Sequence, residues 1–166
     1  MSNNPQLVFL KFLRHERSLI ACDEVSHYGC IADILAIDKN KEIIIEYEFK
    51  ASSNDLKIAE KKKSKYQLQK RGYKNGCHIY GTVYKMPQTP HKFYFVVSEE
   101  LYHKEQEYLN KVDGGVIMYF KTHTGSLDFV TKKKCYAKKA NLQKYKVALL
   151  NIACRATNAY VCKLQQ

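Results

Sequence analysis

The chain has 166 residues, with 28 Lys and Arg against 16 Asp and Glu, a formal net charge of +12. That length suits a single domain with a core of its own, and the charge points to a polyanionic partner. No apolar run approaches the roughly 20 residues of a membrane helix, so no membrane association is expected. The opening Met1-Ser2-Asn3-Asn4-Pro5 has no basic n-region of a signal peptide. The six cysteines (22, 30, 77, 135, 154 and 162) form no CxxC pair, which reads as reduced thiols in the cytoplasm.

In chain order, Gln6 to Ser18 reads as a first helix. Pro5 suits its start, and Leu7, Leu10, Phe12 and Leu13 supply an apolar face. Glu16 falls near its C-terminal end, where an ion pair with Arg17 is the alternative role. Leu19 to Val25 is a first strand, and Tyr28-Gly29 turns the chain into a second, Ile31 to Ile37. Asp33 stands alone inside that apolar run. Cys22, His27 and Cys30 have no second ligand pair at zinc-site spacing. After a polar turn at Asp38-Lys39-Asn40-Lys41 comes a third strand, Ile43 to Lys50.

The third strand carries the chemistry. Side chains alternate along a strand, so Glu46, Glu48 and Lys50 share one face, while Ile45, Tyr47 and Phe49 share the other. Two carboxylates and a lysine on an apolar strand are costly to bury without partners. The alternative is a solvated edge face. A short turn makes the second and third strands an antiparallel hairpin, which brings Asp33 close to Glu46 or Glu48. Two carboxylates beside an ammonium make a site for a hard cation such as Mg2+.

Beyond Lys50, the polar run Ser52-Ser53-Asn54-Asp55 offers helix N-caps, and Asp55 to Lys70 reads as a strongly basic helix. Lys57, Lys61, Lys62, Lys65, Tyr66, Lys70 and Arg71 are its candidate DNA contacts, since phosphate neutralisation dominates such binding. A solvated face is the competing role for such a charge run. Gly72 to Pro90 is irregular, with interleaved Tyr, Lys and His, and His78 to Tyr84 is a candidate added strand. Lys92 to Val97 is a fourth core strand, Glu99 to Leu109 a helix, and Val116 to Phe120 a fifth strand with Leu127 to Val130 beside it. The closing helix, Ala140 to Val161, carries Leu142, Tyr145, Leu149, Ile152, Ala156 and Tyr160 near one face. It covers the core or, as the lesser reading, pairs two copies, so the expected state is monomer or homodimer.

Asp33 followed by Glu48-Phe49-Lys50 resembles the PD-(D/E)xK nuclease superfamily. The wider run Ala32-Asp33-Ile34-Leu35-Ala36, Glu48 to Ser53 and Phe93 to Val97 is similar to its bacterial and phage MmcB-like DNA-repair branch. The resemblance spans roughly residues 10 to 120. One departure is Ala32, where the motif's name has proline. The resemblance implies an α/β, restriction-endonuclease-like core: helix, three-stranded meander, helix and fourth strand, in a mixed sheet flanked by helices. It implies that Asp33, Glu48 and the Phe49 carbonyl hold Mg2+ or Mn2+, that Lys50 is catalytic, and that Glu16 joins from the first helix. The implied activity is hydrolysis of DNA phosphodiester bonds, in repair, recombination or phage replication. Products would carry a 5′-phosphate and a 3′-hydroxyl, and the setting would be a bacterial or phage-infected cell. A non-catalytic nucleic-acid-binding protein on the same fold is the second reading, with RNA an open partner.

Overall fold

The computed structural model describes residues 4–27, 30–59, 77–79, 82–84, 90–112, 114–136 and 142–164. Helix α1 spans Pro5–His15; the Asn4 side chain accepts the Gln6 N–H at 2.9 Å and caps it. Strands β1 (Ile20–His27), β2 (Cys30–Asp38) and β3 (Ile43–Lys50) follow as an antiparallel meander. Asp38 shapes the β2–β3 turn by accepting the N–H groups of Asn40 and Lys41 at 3.1 and 3.2 Å. A π-helical turn covers Asp55–Ala59. Of the expected basic helix, residues 60–70, and Arg71 after them, lie outside the described residues.

The expected added strand is a small hairpin, β4 (Cys77–Ile79) with β5 (Thr82–Tyr84). Strand β6 (Lys92–Ser98) returns parallel to β3 and pairs in parallel with β7 (Gly115–Lys121). The expected helix between them is two short ones, α2 (Glu99–Lys104) and α3 (Gln106–Lys111), broken at Glu105. Strand β8 (Leu127–Lys133) adds antiparallel to β7, and α4 (Leu142–Leu164) closes the chain. The main sheet is six-stranded and mixed, in the order β1-β2-β3-β6-β7-β8. The protein is therefore α/β, with helices on both faces of that sheet. Among the described residues, no helix is long and apolar enough to cross a membrane.

The two faces differ. Phe9, Leu10 and Leu13 of α1 pack on Ile34, Ala36, Ile45 and Tyr47. The opposite face holds two apolar clusters: Ala148 and Ile152 of α4 lie on Leu35, Ile37 and Ile44, and Leu101 and Leu109 lie on Phe95, Val97 and Val116. Burial of α4 through Ala148 and Ile152 makes it a core-covering helix. Glu46, Glu48 and Lys50 point to this second face by strand alternation, between the two clusters. Gly115 permits the close pairing of β6 and β7, because a Cβ there would sit 2.2 Å from a Tyr94 ring carbon.

Candidate active site

The site begins where two strands part. Registered pairs of β2 and β3 run from Asp38–Ile43 to Ile34–Tyr47 and stop, although both strands continue. One step further on, the Asp33 carboxylate, and not a ladder carbonyl, takes the Phe49 N–H, at 2.7 Å to Oδ2. On its other side Asp33 lies opposite Glu24, which the β1–β2 register skips and whose φ of 48° breaks the extended backbone. The Asp33 carbonyl accepts instead from Gln6 Nε2 at 2.9 Å, tying the start of α1 to this point.

Glu48 follows from this geometry. Its register partner on β6 is Phe95, and Lys50 lies opposite Val97. Glu48 is 0% exposed and Lys50 is 3% exposed, so this is a buried ion pair, with Lys50 Nζ 3.3 Å from Glu48 Oε2. A second carboxylate reaches the same ammonium: Asp55 Oδ1 lies 3.7 Å from Lys50 Nζ. Asp55 Oδ2 accepts the Ala51 N–H at 3.3 Å, and the Asp55 N–H donates to Ser52 Oγ at 3.2 Å. The polar run after β3 thus serves partly as a cap and partly as a charge partner. Glu46, also buried, sits one pleat earlier, opposite Leu35 and Phe93.

Lys57 already has an acidic partner. Its ammonium is ion-paired with Glu105 at the α2–α3 corner and lies over the Tyr108 ring, 5.7 Å from its centroid. The Lys57 partner, with a hydrogen bond from Ser53, holds the Glu105 carboxyl below the usual carboxylate range. The π-helical turn thus sets Lys57, the one candidate DNA contact among the described residues, beside a carboxylate, with its side chain still 40% exposed. The remaining candidate DNA contacts, Lys61, Lys62, Lys65, Tyr66, Lys70 and Arg71, lie outside the described residues.

Glu16 lies apart from Asp33. It caps the C-terminus of α1, whereas the residue tied to Asp33 is Gln6, near the N-terminus. At 1.5 Å per residue the two are about 15 Å apart along the helix. Glu16 lines a separate shallow cleft of about 250 Å³ with Lys11, His15, Phe12, Asp128 and Phe129. Glu24, opposite Asp33, is turned to α4, where Arg155 donates to it at 2.9 Å. Gln6 and Asp55 are the site neighbours that sequence reasoning missed. The signal for Asp55 was its place in a cap-rich run directly after Lys50; Gln6 carried none.

The candidate donors, the carboxylates of Asp33 and Glu48 and the Phe49 carbonyl, are all hard oxygens. Among the described residues, no group of three or more His, Cys, Asp or Glu side chains gathers at metal-binding spacing. No protein-family model matches the chain, and no curated protein matches it. A solved structure is similar in fold: the SPO1766 protein of unknown function from Silicibacter pomeroyi. It is 16% identical, with a TM-score of 0.58 over 92% of this chain and 83% of that one. At that identity the likeness shows the fold alone.

Proposed function

We propose that the chain is a metal-dependent nuclease of the PD-(D/E)xK type that hydrolyses DNA phosphodiester bonds. The observation that carries this reading is that the Asp33 carboxylate takes the Phe49 N–H where the β2–β3 register ends, while Glu48 and Lys50, on either side of Phe49, form a buried ion pair. The order α1, three-stranded meander, helical turn, then β6 parallel to β3 supports a restriction-endonuclease-like core. The formal net charge of +12 supports a polyanionic substrate.

The donor set fits Mg2+ or Mn2+, which take oxygen ligands and keep several waters. Asp33, Glu48 and the Phe49 carbonyl would hold the ion, which when bound supplies Lewis-acid polarisation of a phosphate and a lowered water pKa. The chain's own contribution is Lys50. Its ammonium is a compact charge held in a buried site, where electrostatic stabilisation of charge growing on a phosphate is strong. Only stabilisation that increases toward the transition state accelerates the step.

The test is single-turnover cleavage of duplex, single-stranded and branched DNA with Mg2+, Mn2+ or neither. Wild type cuts only with metal, and Asp33→Ala and Glu48→Ala abolish cutting while the fold persists. Lys50→Met slows cleavage by about two to three orders of magnitude. DNA affinity measured in Ca2+ stays within about tenfold. Equal cutting by wild type and both alanine variants refutes the assignment. One observation favours a binding protein without cleavage: Lys50 is 3% exposed and held between two carboxylates. DNA binding with no metal-dependent rate on any DNA or RNA substrate selects that reading.

A further inference from the structure

Lys50 poses a problem for the site just described. Its ammonium occupies Glu48 Oε2 at 3.3 Å, and Glu48 is one of the carboxylates a divalent cation needs. An ammonium and a cation on one fully buried carboxylate repel each other with little screening from solvent. Some other group has to take the ammonium when the cation arrives.

We propose that Asp55 is that group, a positioning residue that draws Lys50 off Glu48 and leaves Glu48 to the cation. The inference rests on the nuclease reading and deepens it. Asp55 Oδ1 is already 3.7 Å from Nζ, so a small rotation of the lysine transfers the ammonium from one carboxylate to the other. Lysine suits such a handover, with three donors that rotate on a flexible stem. Asp55 is itself held: Oδ2 accepts the Ala51 N–H at 3.3 Å, and Ser52 Oγ accepts the Asp55 N–H at 3.2 Å. Two residues on, Lys57 pairs with Glu105, which also bonds to Ser53. The turn bearing Asp55 is thereby stapled to the α2–α3 corner on both sides of Asp55. The Asp55 side chain is 36% exposed, so its charge is available without the burial that binds Glu48 and Lys50 together.

The experiment is a Mn2+ titration of the intact protein, read by the electron paramagnetic resonance of free Mn2+. Asp55→Asn retains an oxygen for the Ala51 N–H and removes the charge. It weakens Mn2+ binding about three- to fivefold, the scale of a partly exposed ion pair. Lys50→Met tightens binding, because no ammonium competes for Glu48. Asp55→Asn added to Lys50→Met then changes nothing further. Ser52→Ala, which loosens the turn and leaves both charges, keeps wild-type affinity. The proposal is overturned if Asp55→Asn binds as wild type, or if it costs as much in the Lys50→Met background, which makes Asp55 a ligand. It is overturned too if Ser52→Ala weakens binding equally, which makes Asp55 a structural cap. Absence of Mn2+ binding by wild type, or unchanged binding by Asp33→Ala, removes the nuclease reading itself and this inference with it.

Discussion

Replacing Lys50 by methionine keeps most of the side-chain bulk and deletes the charge 3.3 Å from a carboxylate that is 0% exposed. The magnitude follows from burial. A surface ion pair is worth under about 1 kcal/mol, but removing one partner of a buried pair costs about 3–5 kcal/mol, since the other charge stays in the interior. Against a typical total of about 5–15 kcal/mol, that is a large loss, about 6–20 °C in melting temperature for a domain of this size. The double variant Glu48→Gln/Lys50→Met removes both charges and recovers stability to within about 1 kcal/mol of wild type. Urea denaturation of wild type, both single variants and the double variant measures the coupling directly. Mg2+ separates a metal site from a merely structural ion pair. At about 100 times its dissociation constant it restores about 2.7 kcal/mol to Lys50→Met, by binding only the folded state. A loss below about 1 kcal/mol for Lys50→Met, or a double variant no better than the sum of the singles, refutes the argument from burial.

Other outcomes follow from particular residues. His91 is buried, and its Nδ1 accepts the Ile44 N–H at 2.9 Å, so His91→Phe leaves a buried donor and costs about 1–3 kcal/mol by urea denaturation. Glu105 has its folded pKa depressed by Lys57 and Ser53, so its contribution is complete above the unfolded carboxylate value of about 4.3 and fades as pH falls through the lower folded value. The stability gap between wild type and Glu105→Gln is therefore full near neutrality and closes in acid, as melting temperatures across pH will show; a gap that widens in acid contradicts the sign. Neutralising Lys61, Lys62 and Lys63 lowers the log–log salt slope of duplex DNA binding by about 0.9 for each phosphate that these lysines neutralise, and an unchanged slope makes them a solvated face.

Much of the framework is legible in local pattern. Period-two alternation in Ile43 to Lys50 places Glu46, Glu48 and Lys50 on one face whatever the sheet around them, because adjacent strand residues must point oppositely. The polar turn at Asp38 to Lys41 sets an antiparallel hairpin, and hence the nearness of Asp33 to Phe49, the residue after Glu48. The run Lys92 to Val97 reads as a buried strand, and Gly114-Gly115 marks the entry to the next one, where the Tyr94 ring leaves no room for a side chain. Tertiary structure decided the rest. Periodicity states which face of α1 is apolar but not which end of the helix approaches Asp33; docking on the sheet brings Gln6 there and sends Glu16 to the far end. Strand propensity does not show that the ladder stops at Ile34–Tyr47, which depends on the backbone of Glu24 and on the Asp33 carboxylate taking an N–H. The polar residues after Lys50 announce a helix start, yet only the closure of the turn shows that Asp55 shares the lysine with Glu48 and that Glu105, far along the chain, captures Lys57. A residue's local pattern gives its orientation on its own element, whereas its partner is chosen by how distant elements pack.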